Sequence, residues 1–218
     1  MNASVTRTRN APNTPTLYSS SSDDWYTPSV YVDAARRVLG GTIDLDPASC
    51  PAANAVVQAK DIYTAADDGL TQPWWGRVWL NPPFGRRAHR NDSSQARWAE
   101  RMTAAYEDGE IEAGVLMVSH VPDRTWWPQL YRYPLVVTDH RVEFWRPGRK
   151  GRRPLTTSAF VYVGPYVERF SRLMSGFGSV RLPGRSCTVC GTEMYGRSDR
   201  AYCSGACRQR AYRVRAGG

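Results

Sequence analysis

Lysine is nearly absent from this 218-residue chain: only Lys60 and Lys150 occur, so 27 of the 29 basic residues are arginines. Long apolar runs are missing too. The longest, Ala113 to Val118 broken by Gly114, is far short of the roughly 20 residues that cross a bilayer, which excludes a helical membrane protein. The N-terminus offers Ser, Thr, Asn, Pro and arginine without an apolar core of signal-peptide length, so a cytoplasmic protein is expected. No internal repeat is visible, and His89, His120 and His140 lack ligand spacing. What is present is an ordinary globular balance, 41% hydrophobic and 22% charged, which excludes a wholly disordered or fibrous chain. The net charge of +9 suggests an anionic partner, with nucleic acid ahead of a membrane surface because no amphipathic anchor stands out. A GC-rich genome would account for the arginine-to-lysine ratio but not for the net charge.

Residues 1–22 are poor in aliphatic side chains and end in Ser19–Ser22, which reads as a disordered arm. Thr27-Pro28 fits an N-cap and first helical position, helical spacing continues through Val30, Val32, Ala35, Val38 and Leu39, and Gly40-Gly41 closes the segment. A short strand, Thr42–Asp46, ends at Pro47. Another, Arg77–Leu80, runs into Asn81-Pro82-Pro83-Phe84. Ser93–Tyr106 reads as a helix, Ala113–Ser119 as a buried strand and Arg124–Tyr131 as a further helix, followed by β-like segments around Leu135–Thr138, Arg141–Trp145 and Thr156–Val163. This alternation predicts an α/β sheet with helices on its faces and a closing antiparallel region, over residues 23–183.

The composition changes after Leu182-Pro183-Gly184. Residues 184–218 hold four of the five cysteines and seven arginines against two acids, a net +5 that leaves +4 for the preceding 183 residues. Cys187 and Cys190 form a CxxC pair, and Cys203 and Cys207 a CxxxC pair twelve residues on. Two short-spaced thiolate pairs at that separation supply the tetrahedron of a structural zinc site. Disulfides are the competing reading, and a cytoplasmic chain rarely keeps them. So short a segment has little core, and metal binding would supply its folding energy. Arg208, Arg210, Arg213 and Arg215 are expected on a helix begun near Cys203, suited to phosphate contacts, with a solubilising basic tail as the plainer reading. Cys50 reads as a buried thiol.

Asn81-Pro82-Pro83-Phe84 follows a strand and so projects from the carboxyl edge of the sheet, where open α/β folds place their ligands. The Asn81 amide oxygen and the Pro82 carbonyl can both accept from an exocyclic amine, drawing its lone pair out of conjugation toward an electrophile. The two prolines fix the acceptors in place, and Phe84 offers a flat face for a base. That combination points to methylation of an amino nitrogen, against the plainer reading of a rigid loop with a buried Phe.

An ordered set of motifs extends this. Asp24-Trp25-Tyr26-Thr27-Pro28, Ile43-Asp44-Leu45-Asp46-Pro47-Ala48-Ser49, Asp68-Gly69-Leu70, Trp74–Phe84, Val121–Trp127, Arg141–Phe144 and Ser158-Ala159 together resemble the phage-type, Dam-like DNA N6-adenine methyltransferases over about residues 24–165. The resemblance implies a Rossmann-like methyltransferase sheet with helices on both faces, S-adenosylmethionine as cofactor, double-stranded DNA as substrate and action within a bacterial host cell. By the same likeness Asn81, Pro82, Pro83 and Phe84 match the catalytic loop. Asp44, Asp46 and Pro47 look like the cofactor motif at the end of the first strand. Trp25, Thr27 and Pro28 are similar to the segment that meets the cofactor's methionine carboxylate, and Asp68 is placed like the acid near its adenine, with Asp61 and Asp67 as competitors. Two departures stand out: the first strand lacks a Gly-x-Gly after it, and the cysteine tail lies outside the shared core.

The implied chemistry is direct transfer to a flipped adenine, without a covalent enzyme intermediate. A cytosine-C5 enzyme would need a cysteine nucleophile, usually after proline, whereas Cys50 precedes Pro51. Two basic stretches are candidates for DNA phosphates: Arg86, Arg87, Arg90 and Arg97 beyond the catalytic loop, and Arg146, Arg149, Lys150, Arg152 and Arg153 in a Gly/Pro-containing turn. Arg208 and Arg210 of the tail complete the expected DNA contacts. The rivals are an RNA or protein-glutamine amino-methyltransferase, and a catalytically silent zinc-containing DNA-binding protein.

Overall fold

The computed structural model describes residues 25–83, 94–146, 149–152, 154–191, 193–194, 201–202 and 204–216. The expected arm at residues 1–22 lies outside them. Strands β1 (Ile43–Asp46), β2 (Ala59–Ile62), β3 (Gly76–Leu80), β4 (Ile111–Ser119), β5 (Leu135–Thr138), β8 (Ser158–Val163) and β9 (Gly178–Arg181) build a seven-stranded mixed sheet in the order β2-β1-β3-β4-β8-β5-β9. The first four neighbours are parallel. β8 enters antiparallel between β4 and β5, and β9 closes the far edge antiparallel to β5. A separate hairpin joins β6 (Phe144–Arg146) to β7 (Arg149–Arg152).

Side-chain alternation divides the core in two. Ala113, Val115 and Met117 of β4, Phe160 and Tyr162 of β8 and Trp79 of β3 face α1 (Ser29–Val38) and α4 (Val167–Met174). Leu116, Val118, Val161, Val163, Val78 and Leu80 face α3 (Ser94–Glu107), through Trp98, Ala99, Met102 and Ala105. Helices therefore cover both faces, which explains why β4 and β8 read as nearly unbroken apolar runs.

Several expectations shift. The Thr-Pro dipeptide suggests Thr27 as N-cap, but Pro28 occupies that position and α1 begins at Ser29. Arg124–Tyr131 is a series of turns leading into a 3₁₀ helix, Pro128–Arg132, because Pro128 lacks the N–H that an α-helix would need there. The basic stretch read as a turn contains β7, and Arg141–Trp145 contributes only β6, to the hairpin rather than to the main sheet.

Candidate active site and metal centre

Chain order places a switch point between β1 and β3, because β1 pairs with β2 on one side and with β3 on the other. Open α/β sheets bind ligands outside the strand ends at such a point. There the protein has a cavity of about 390 Å³, a size suited to a small molecule or cofactor. Its walls include Trp25 and Thr27, Asp46 and Pro47, Asp68, and Asn81, Pro82 and Pro83. Residues far apart in sequence thus converge on one site. Phe84 lies outside the described residues, as do Arg86, Arg87, Arg90 and Arg153.

Asp46 ends β1 and is 3% exposed, accepting a hydrogen bond from the Ala48 N–H at 3.2 Å. Burial pushes its carboxyl up to about 7, against the pull of that hydrogen bond. It stands in the cavity wall as a carboxyl poised near neutrality. Across the cavity, Asn81 follows β3. Its Nδ2 donates to the Trp25 carbonyl at 3.4 Å, while its buried Oδ1 has no partner among the described residues. Buried acceptors are rarely left so.

Asp68 lines the cavity in the left-handed region, at φ 51°, and Gly69 follows it. A Cβ on Gly69 would fall 2.0 Å from the Pro47 carbonyl oxygen, so glycine is what allows this turn to close on the Asp46-Pro47 loop. Of the competing acids, Asp67 accepts from the Thr64 N–H and hydroxyl, both at 2.7 Å, and Asp61 is not among the cavity residues.

Asp44 and Pro28 stand outside the cavity lining. Asp44 lies one turn of the β1 pleat away and ties the sheet together. It accepts from the Arg77 N–H at 2.9 Å and Arg77 Nε at 2.7 Å, and pairs with Lys60 Nζ at 2.7 Å. Burial alone would raise its pKa, but these partners hold it at about 2. Pro28 caps α1. Thr27 reaches the cavity while its hydroxyl donates to Met117 Sδ at 3.6 Å.

Some cavity residues were not legible as such. Cys50 is half-buried rather than buried: it starts α2 (Pro51–Val57), accepts from the Ala53 N–H, and its thiol donates to the Tyr26 hydroxyl at 3.4 Å. Trp98, inside the helix expected over Ser93–Tyr106, both packs on Trp74 and lines the cavity. Arg97, read as a phosphate contact, also borders it.

In the tail, ligand sulfurs of Cys187, Cys190 and Cys207 lie within 4.8 Å of one another, with Cys190 and Cys207 at 3.7 Å. That separation is far beyond a disulfide's roughly 2.05 Å. It matches neighbouring thiolates about 2.3 Å from a shared tetrahedral ion. Three close cysteines could hold a metal ion, compatible with zinc; the fourth expected ligand, Cys203, lies outside the described residues. Gly191, left-handed at φ 71°, turns the first pair, its N–H donating to the Cys187 carbonyl at 2.9 Å. Short strands β10 (Arg185–Ser186) and β11 (Glu193–Met194) pair around it. Cys207 sits in the first turn of α5 (Gly205–Ala216), its N–H bonded to the Ser204 hydroxyl at 3.3 Å, where the helix dipole favours a thiolate. Arg208 and Arg210 are exposed on the same helix, and the backbone of Arg149, Lys150 and Arg152 lies in β7.

Among the described residues no helix is long and apolar enough to span a membrane. Comparisons with protein-family models, curated proteins and solved structures give no match.

Proposed function

We propose that this chain is an S-adenosylmethionine-dependent DNA adenine-N6 methyltransferase carrying a structural zinc module. One observation carries the reading: Asp46 from the end of β1 and Asn81-Pro82-Pro83 from the end of β3 meet at one cavity, where Asn81 Oδ1 is an acceptor without a partner among the described residues. The residues suit the cofactor. The cavity is large enough, Trp25, Trp79 and Trp98 give it apolar walls, and Asp46 and Asp68 are acceptors for a ligand rich in ammonium and hydroxyl donors. Trp25, Thr27, Asp46, Pro47 and Asp68 would hold it, and Asp44 is released from that role by its pairing with Arg77 and Lys60. When bound, the cofactor supplies an electrophilic methyl group.

The protein's own task is to present the amine. Asn81 Oδ1 and the Pro82 carbonyl accept its two N–H groups, which keeps the nitrogen lone pair available, and the prolines hold both acceptors still. Phe84 and the arginines beyond it remain candidates for base stacking and phosphate contact. In the tail, Cys187, Cys190, Cys203 and Cys207 would hold zinc, whose binding stabilises a segment with little core.

The test is incubation with methyl-labelled S-adenosylmethionine in parallel with duplex DNA, RNA and protein, with Asn81→Ala as control. Label in duplex DNA that disappears with Asn81→Ala supports the reading. Label confined to RNA or protein overturns the substrate, and no label at all favours a silent DNA-binding protein.

A further inference from the structure

The cavity wall at Trp25–Thr27 is fastened on its outer side to the basic hairpin. The Tyr26 N–H donates to the Trp145 carbonyl at 2.9 Å and the Trp145 N–H returns to the Tyr26 carbonyl at 3.0 Å, a single antiparallel bridge that ties Trp145 of β6 to the segment before α1. The Trp145 indole Nε1 donates to the Thr27 carbonyl at 3.2 Å, and the Tyr26 and Trp145 rings meet edge to face at 5.2 Å. The next carbonyl along, that of Trp25, receives the Asn81 amide at 3.4 Å. A single side chain and its backbone therefore connect β6 to the segment that both lines the cavity and orients Asn81. Trp145 itself is not among the cavity residues.

We propose that Trp145 is a positioning residue that couples the β6–β7 hairpin to the methyl-transfer cavity, so that duplex DNA on the hairpin and cofactor in the cavity strengthen each other's binding. The proposal rests on the methyltransferase reading above. Residues 146–153 carry five basic side chains and no acid, which fits the hairpin to a phosphate backbone. The hairpin is not part of the seven-stranded sheet. Phe144, buried in the core cluster that includes α1, and the Trp145 bridge attach it to the core. Ordering the hairpin on DNA orders Trp145, and with it the carbonyls of Trp25 and Thr27. Ordering the same wall around a ligand returns the effect. Linkage makes the two effects equal in size, typically about 5–150-fold.

The measurement is calorimetric affinity for S-adenosylhomocysteine, alone and with a saturating mixed-sequence duplex, in the full chain. Wild type should bind about 5-fold or more tighter with DNA. Trp145→Ala, which loses the indole donor and the ring edge but keeps the backbone bridge, should bring that ratio below about 2-fold. Trp145→Phe keeps the ring and loses only the donor, so its ratio should fall by the factor of about 2–12 that one hydrogen bond contributes. Should Trp145→Ala fail to fold, Trp145→Phe decides alone. A wild-type ratio of one, or unchanged ratios in the variants, overturns the coupling while leaving methyl transfer intact. Loss of all binding by Trp145→Phe without DNA also overturns it, because the residue would then be structural. Failure of wild type to bind S-adenosylhomocysteine at all ends the methyltransferase reading and the coupling with it.

Discussion

Asp46 gives the cavity a pH response whose direction differs for stability and for binding. Its carboxyl ordinarily titrates at 3.8 and is raised by burial to about 7. A raised value means that the folded state holds the proton longer than the unfolded chain. The stability contribution is therefore complete below pH 3.8 and is lost as pH rises toward 7. At about 1.4 kcal/mol per pH unit the interval amounts to as much as about 4 kcal/mol. Asp46→Asn keeps the shape without the charge, so its stability relative to wild type should rise by about 2–4 kcal/mol between pH 4 and pH 8. Urea unfolding at a series of pH values reads this directly. Ligand affinity should run the other way. The ionised form is the better acceptor for the donors of the proposed cofactor, so wild-type affinity for S-adenosylhomocysteine should strengthen up to about tenfold per pH unit and level off above pH 7. Asp46→Asn should bind more weakly and show no such slope. Parallel stability profiles for the two proteins, or wild-type affinity that is flat from pH 5 to 8, would refute the reasoning.

Four further expectations follow from other parts of the molecule. Asn81→Ala should lower turnover on duplex DNA by about 10²–10³ in steady-state assays, at a cost in stability of no more than about 1 kcal/mol, since Asn81 Oδ1 has no partner among the described residues and Nδ2 makes one long bond to the Trp25 carbonyl. Asp44→Asn strands the Arg77 and Lys60 charges and should cost about 2–4 kcal/mol at pH 7, discounted because both cations are partly exposed. With its pKa held at about 2, that contribution is present above pH 3.8 and is lost as pH falls toward 2, so denaturant melts of the variant and wild type should converge there. Deleting residues 184–218 should leave methyl transfer measurable while weakening DNA binding, and should flatten its salt dependence by roughly 0.9 per lost phosphate contact in filter binding. Metal analysis of the full chain should find one zinc, absent from Cys187→Ser.

The strands at the centre of the sheet were legible because burial on both sides leaves unbroken apolar runs: β4 and β8 stand close to where Ala113–Ser119 and Thr156–Val163 place them. Edge strands were not. β2, Ala-Lys-Asp-Ile, and β9, Gly-Ser-Val-Arg, are polar enough to read as loop, since one side of each meets solvent. The short α2 hid among alanines behind Cys50-Pro51, and α4 was not anticipated. At the site, the loops that follow β1 and β3 bring Asp46 and Asn81 to one cavity, but the different surroundings of Asp44 and Asp46 were invisible in the sequence. The two carboxylates stand two residues apart on β1, so the strand's period of two gives both the same direction and cannot tell them apart: what differs is depth along the strand, where Asp44 meets Arg77 and Lys60 and Asp46, at the carboxyl end, meets the cavity. The role of Trp145 depends on a backbone bridge between residues 119 positions apart, which no local pattern encodes.

The proposed activity is tested most directly by nucleoside mass spectrometry of duplex DNA after incubation with purified protein and S-adenosylmethionine. N6-methyldeoxyadenosine should accumulate with wild type and fall to background with Asn81→Ala. Accumulation undiminished in the variant, or a methylated cytosine in place of adenine, would contradict the reading of the Asn81-Pro82-Pro83 loop.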